Sequence, residues 1–219
     1  MGWLLVRPWL WTLPLLAQAA LVAAVVLGGL AVGGLLWPGQ TAEWYWPKAM
    51  ASIGAGAASV ALLWVLLAPV VCGWVFERLA QEVLRERGLA SVPRGFLACT
   101  ASAAVMTVAT LPERLWWILI SLAASVLGPF APLVSAYGIA RVATLDAFDI
   151  ALSARDPDHR SRREGLDRHQ ADRRLGAIGA WALKLLLMPT GVGLLLWMPA
   201  VVCGAARRVA DRVGERAAA

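Results

Sequence analysis

Long uncharged apolar runs alternate with short charged interruptions along this chain, and the run lengths decide what they form. The first run, Leu13–Leu36, has 24 residues with Gln18 as its only strongly polar side chain. That is enough for one helix across a hydrocarbon core about 30 Å thick. A signal peptide is the rival reading, with Arg7 marking a basic start and Ala17-Gln18-Ala19 a cleavage site. A signal's apolar core stops after about 7–15 residues, and this run continues well past that point. The pattern therefore predicts a retained spanning helix over 13–36. The second run, Ala49–Phe76, is uncharged throughout and predicts a second spanning helix over 49–76. Gly29 and Gly33 on the first helix, and Gly54 and Gly56 on the second, have the small-residue spacing that lets helix backbones approach in lipid. All four are expected at helix–helix contacts, within the chain or in a homo-oligomer.

The pattern changes after Phe76. Residues 76–88, FERLAQEVLRERG, place Leu79, Val83 and Leu84 on one side and charges elsewhere, the signature of an amphipathic helix that Gly88 stops. The small-residue stretch 94–111 follows, ended by Pro112, and 77–111 together reads as an amphipathic, cytoplasmic segment. Between Arg114 and Arg141 lie 26 residues without a charge, about 39 Å as one helix. That would cross a bilayer, but the middle reads Gly128-Pro129-Phe130-Ala131-Pro132. Each proline removes a backbone donor and breaks a helix, and the half before Gly128 is too short to cross alone. The same plan recurs over 175–206, bounded by Arg173-Arg174 and Arg207-Arg208 and interrupted at Pro189-Thr190-Gly191. Basic residues at both ends of each stretch place both ends on one side. Two re-entrant helical hairpins, 114–145 and 175–206, account for these features together. A kinked single span in each case is the alternative. Broken backbone at membrane depth requires burial in protein or a cavity to line.

Charge distribution orients the chain. Of the 20 basic residues 18 are arginine, and none falls in the 37–48 loop, where Glu43 and Lys48 cancel. The positive-inside rule puts that loop outside and both termini inside, and Trp37, Trp44, Tyr45 and Trp46 suit an interfacial aromatic belt. The 153–174 loop carries seven arginines and five acids, too mixed for a nucleic-acid patch, and reads as a solvated cytoplasmic helix. Its His159 and His169 read as surface residues. A basic tail, 207–219, completes a single membrane domain.

Composition agrees. The chain is 60% hydrophobic and 16% charged, with mean hydropathy +0.67, against about 25% charge in soluble domains. Cys72, Cys99 and Cys203 have neither disulfide nor zinc spacing and read as reduced packing residues. Nucleotide-binding loops, metalloprotease motifs and Ser/His/Asp constellations are absent from the sequence, so no enzyme, metal or cofactor is expected. What remains is cationic charge near the membrane. Arg114 and Arg141 bracket the first hairpin, Arg7 precedes the first helix, and Lys184 lies inside the second hairpin. An intramembrane cation needs a partner, a pathway or a route to the interface, and helix N-termini add positive dipole ends. These four are the anion-pathway candidates, Arg114 first. Anchoring to lipid phosphates, or snorkelling for Lys184, is the alternative.

Four stretches resemble the CysZ-like sulfate permease family, within the superfamily of the etoposide-induced membrane proteins. They are RPWLWTLPLLAQ (7–18), APVVCGWVFERLAQEVLRERG (68–88), FDIALSARDPDHRSRREGLDRH (148–169) and MPAVVCGAA (198–206). The resemblance implies an all-α membrane protein with two long transmembrane helices and two re-entrant hairpins, often oligomeric, in the bacterial cytoplasmic membrane. It also implies proton-sensitive sulfate uptake with a Gly-x-Arg-like anion contact near the N-terminus. That position here reads Pro8-Trp9-Leu10-Trp11, without Gly or Arg. The expectation is a channel or permease for a small inorganic anion, sulfate by analogy, embedded in the lipid bilayer as a homo-oligomer without nucleic-acid partners. The alternative is a non-transporting scaffold or membrane-homeostasis protein of the same fold.

Overall fold

The computed structural model describes residues 9–39, 44–124, 131–156, 158–187 and 192–218. All regular structure among them is helical, in eight elements: α1 (Trp9–Leu35), α2 (Tyr45–Glu86), α3 (Phe96–Ala109), α4 (Leu111–Ala123), α5 (Ala131–Arg155), α6 (His159–Arg168), α7 (Gln170–Leu187) and α8 (Val192–Ala218). Arg7 and the predicted hairpin turns at Gly128, Pro129, Pro189 and Gly191 lie outside the described residues. Pro132 sits exposed in the first turn of α5, just past the undescribed 125–130, where a missing N–H costs nothing.

The α1 segment Pro14–Leu35 is long and apolar enough to cross a membrane, with mean hydropathy 2.3 over its best window. Two further helix pairs qualify only if each bent pair counts as one span. Leu62–Ala68 and Val70–Glu86 meet at 43°, and Phe96–Ala109 and Leu111–Ser121 at 62°. Up to three candidate spans mark a membrane protein. The first bend falls inside α2, between Ala68 and Val70. The amphipathic stretch after Phe76 is not a separate helix; it is the last turns of α2, continuous with the second apolar run. Its Leu79, Ala80, Val83 and Leu84 are buried in the main core with Cys72, Phe76, Leu145 and Phe148. The second bend, around Thr110, was not expected. It joins the small-residue stretch to the start of the first hairpin, and both flanking helices expose apolar side chains such as Leu97, Val108 and Leu119.

Helices α1 and α2 lie antiparallel. A Cβ at Gly29 would stand 3.0 Å from the Gly56 carbonyl oxygen, and one at Gly56 would stand 2.9 Å from that of Gly29. Gly33 faces the Ser52 carbonyl at 3.4 Å, and the Ser52 hydroxyl donates to the Leu36 carbonyl at 2.6 Å. Gly54 faces outward with nothing near its Cβ position. Gly29→Leu and Gly56→Leu are therefore expected to lower thermal stability in detergent, each costing about 1–3 kcal/mol as backbones are forced apart. Gly54→Leu leaves the midpoint unchanged. Equal midpoints for all three would remove the close approach.

Helix α5 is the hub, touching α2, α4, α6, α7 and α8. Ala140, Ala147, Ala151 and Ala154 on it are fully buried, and these small side chains let five neighbours approach one helix. The stretches read as hairpins form side-by-side antiparallel pairs. Trp117 of α4 meets Tyr137 of α5 edge to face at 5.5 Å, and Gly138 of α5 lies 3.4 Å from the Trp117 carbonyl, measured from its Cβ position. In α7 and α8, the Trp197 indole donates to the Ala180 carbonyl at 2.7 Å. Trp181 of α7 donates to the Leu133 carbonyl of α5 and stacks edge to face on Tyr137, joining the two pairs.

Candidate functional site: a layer of arginines and carboxylates

Polar side chains on one stripe of α5 organise a charged layer through the protein. Asp146, Asp149 and Ser153 follow one another at helical spacing, so they point along one face. Each meets an arginine from another element. Arg114 of α4, only 2% exposed, pairs with Asp146 through both terminal nitrogens, one of them at 3.2 Å. Its Nε donates to the Thr110 hydroxyl at 2.9 Å. Arg162 of α6, also 2% exposed, donates from Nε to Asp149 at 3.0 Å and from a terminal nitrogen to the Ser102 hydroxyl of α3. Arg94, in the connection before α3, forks onto Glu77 of α2 at 3.0 and 2.6 Å and contacts Ser153. These pairs carry no surplus charge, and each ties two or three elements together.

The layer is less balanced around Glu113. Arg173 of α7 reaches both oxygens of this carboxylate, at 2.9 and 3.0 Å. Arg141 of α5 approaches it at 3.7 Å and lies over the Trp117 ring at 5.5 Å, a cation–π contact. Two guanidiniums thus share one carboxylate, which remains a third exposed. Among the described residues, the buried Nε–H of each arginine has no hydrogen-bond partner, a costly state for a donor removed from water. Two forked guanidiniums with spare donors have the chemistry to receive an oxyanion.

A third cluster gathers on Asp172 at the start of α7. Arg208 donates to it at 3.0 Å, Arg212 at 3.1 Å, and the His169 ring lies 3.2 Å away. Burial pushes this carboxyl up, but bonds from Arg212, His169 and Arg208 outweigh burial and hold it down at about 2. A carboxyl depressed in the fold adds stability that is complete above its ordinary value of 3.8 and lost as pH falls through about 2. Asp172→Asn is therefore expected to cost about 1–2 kcal/mol at pH 7, trimmed by solvent around the half-exposed arginines. The gap between the two proteins' unfolding midpoints closes as pH approaches 2. A gap independent of pH would deny the ion pairs their role.

Of the predicted anion-pathway residues, the structure brings Arg114 to Asp146 and Arg141 to Glu113. It sets the Lys184 ammonium over the Trp197 ring at 5.3 Å, at the α7–α8 contact and away from both clusters. Arg173 and Glu113 are not among the sequence candidates because both sit in the charged flanks of the apolar stretches. The 153–174 stretch is helical, comprising the end of α5, all of α6 and the start of α7, but it is not solvated throughout: Arg162, Leu166, Asp172 and Arg173 are buried. Asp158 caps α6, accepting from the Ser161 backbone N–H at 2.9 Å. His169, expected at the surface, has a side chain only 12% exposed. Cys72, Cys99 and Cys203 are free thiols. In comparisons with protein-family models, curated proteins and solved structures, the chain matches none.

Proposed function

We propose that this protein conducts a small inorganic anion across the bacterial cytoplasmic membrane, with sulfate as the first substrate to test. One observation carries the reading: Arg141 and Arg173 converge on the single carboxylate of Glu113, and each keeps a buried Nε–H donor that is unpaired among the described residues. A divalent oxyanion would meet both guanidiniums and relieve both donors. The cluster lies where α4, α5 and α7 come together, at the base of the antiparallel α4–α5 pair. In this reading α1 and α2 span the bilayer, and the α4–α5 and α7–α8 pairs enter from the cytoplasmic side and turn back. The family resemblance in the four stretches supports the same arrangement and suggests a homo-oligomer.

A second reading has specific support. Arg114, Arg162 and Arg94 are each closed by a carboxylate, as a rigid, non-transporting membrane scaffold would require. Sulfate efflux from proteoliposomes, compared with protein-free vesicles, separates the two, and efflux at the protein-free rate would end the transport reading.

Topology has its own test. In a background without native cysteines, a membrane-impermeant thiol reagent applied to intact cells should label positions within 37–48. Positions 161 and 214 should react only after permeabilisation, and 128 and 191 should not react from outside. External labelling at 128 or 191 would convert the hairpins into full spans.

A further inference from the structure

A groove runs between α7 and α8, with α5 at its floor. It holds about 360 Å³, with Thr144 and Phe148 of α5 among its lining. One wall is Gly176, Gly179 and Leu183 of α7, and the other is Ala200, Val201 and Gly204 of α8. The glycines open it: a Cβ at Gly179 or at Gly204 would meet nothing within 4 Å. One end is different. Asp172 and Arg208 line it, and the side chains of Arg208 and Arg212 are 48% and 44% exposed. Arg174 and Arg207, next along the same helices, are exposed too. Among the described residues, Asp172 is the one carboxylate lining the groove, while Asp211 nearby is taken by Arg87 at 2.7 Å. The groove therefore has a cationic mouth and an uncharged channel.

Its length is informative. From Asp172 to Leu183 is eleven residues of helix, about 16 Å, close to half of a hydrocarbon core about 30 Å thick. We infer that the groove holds one anionic phospholipid of the cytoplasmic leaflet, its phosphate at Arg208 and an acyl chain along Gly176, Gly179 and Gly204. Charge complementarity selects this occupant. Basic pockets between helices on the cytoplasmic side attract anionic headgroups, and an acyl chain needs no hydrogen bonds from the glycine-lined walls. A second copy of the chain fits less well. A two-fold axis along the membrane normal would bring the same arginine cluster of both copies to the same level. The side of the membrane rests on the orientation proposed above; the groove and its charged mouth do not.

Native mass spectrometry tests this on the full-length protein in detergent, incubated with equimolar phosphatidylglycerol and phosphatidylcholine of identical acyl chains. Wild type should retain the anionic lipid about fivefold over the zwitterionic one, the ratio expected for one engaged arginine. Arg208→Gln should bring the two toward equality. Gly179→Leu fills the channel and should lower retention of both lipids. Gly204→Leu does the same from the opposite wall, should either variant fold poorly. Gly54→Leu, equally open but on α2, should match wild type. Equal retention of both lipids by wild type overturns the proposal. So does anionic-lipid retention unchanged in both groove variants. A dimer that Gly179→Leu dissociates, without lipid preference, would assign the groove to a second copy. Retention is read without transport, so its failure and that of anion conduction are separate results.

Discussion

Asp146→Asn should be among the most destabilising single substitutions in this protein, costing about 3–5 kcal/mol. The Arg114 guanidinium has almost no contact with solvent. Removing the carboxylate charge leaves a cation deep in the layer, facing an amide that cannot neutralise it. Arg114→Met should cost a similar amount by stranding the Asp146 carboxylate. Replacing both, as Arg114→Met with Asp146→Leu, removes two desolvated charges together. The double variant should recover most of the lost stability, because buried ion pairs return little over apolar packing of similar volume. Thermal midpoints of the four proteins in one detergent form the cycle that isolates the pair. Additive losses in the double variant would mean that the two side chains do not act on each other.

That result would also bear on Arg114 as a pathway residue. Its position, just after Pro112 at the start of a long uncharged run, looks from the sequence like the mouth of a hairpin. The partner that closes it is 32 residues away, and no local spacing announces it. The same holds for Arg173 with Glu113, 60 residues apart, and for Arg94 with Glu77, separated by the end of α2 and the turn at Gly88. Apolar run length, by contrast, is a local property. It made α1 and the apolar part of α2 legible, and the contact of Gly29 with Gly56 follows from small-residue spacing. Prolines were ambiguous signals. Pro132 sits in the first turn of α5, and Pro112 lies one residue inside α4 after the bend at Thr110. One sequence signal does point to the layer. Asp146, Asp149 and Ser153 recur at i, i+3 and i+7 among small apolar residues, a polar stripe on a helix that otherwise reads as core. A stripe of that kind has to face partners, and the arginines of the flanking segments are those partners.

Substitution of the arginines around Glu113 should have the largest effect on transport. With wild-type protein releasing sulfate from proteoliposomes, Arg141→Gln and Arg173→Gln should each slow release about tenfold, the loss that about 1.4 kcal/mol of anion stabilisation represents. Glutamine keeps hydrogen-bonding capacity while the charge goes, so the effect reports charge more than shape. Glu113→Gln works the other way. It removes the one carboxylate both guanidiniums share, so release at low sulfate should rise or hold level while thermal stability falls. Loss of release with Arg141→Gln but not with Glu113→Gln is the signature of an electrostatic anion site, since a purely structural cluster would lose function with either change. Arg160, whose side chain is 90% exposed, supplies the control, and Arg160→Gln should match wild type. Arg94 would not serve, because it is locked to Glu77 and Ser153 and its loss would confuse stability with transport. Raising ionic strength with an impermeant salt should shrink the difference between wild type and Arg141→Gln, because screening weakens attraction at an exposed carboxylate site. If Arg141→Gln and Arg173→Gln release sulfate as fast as wild type at matched protein content, the cluster is a structural tie between α4, α5 and α7, and the scaffold reading holds.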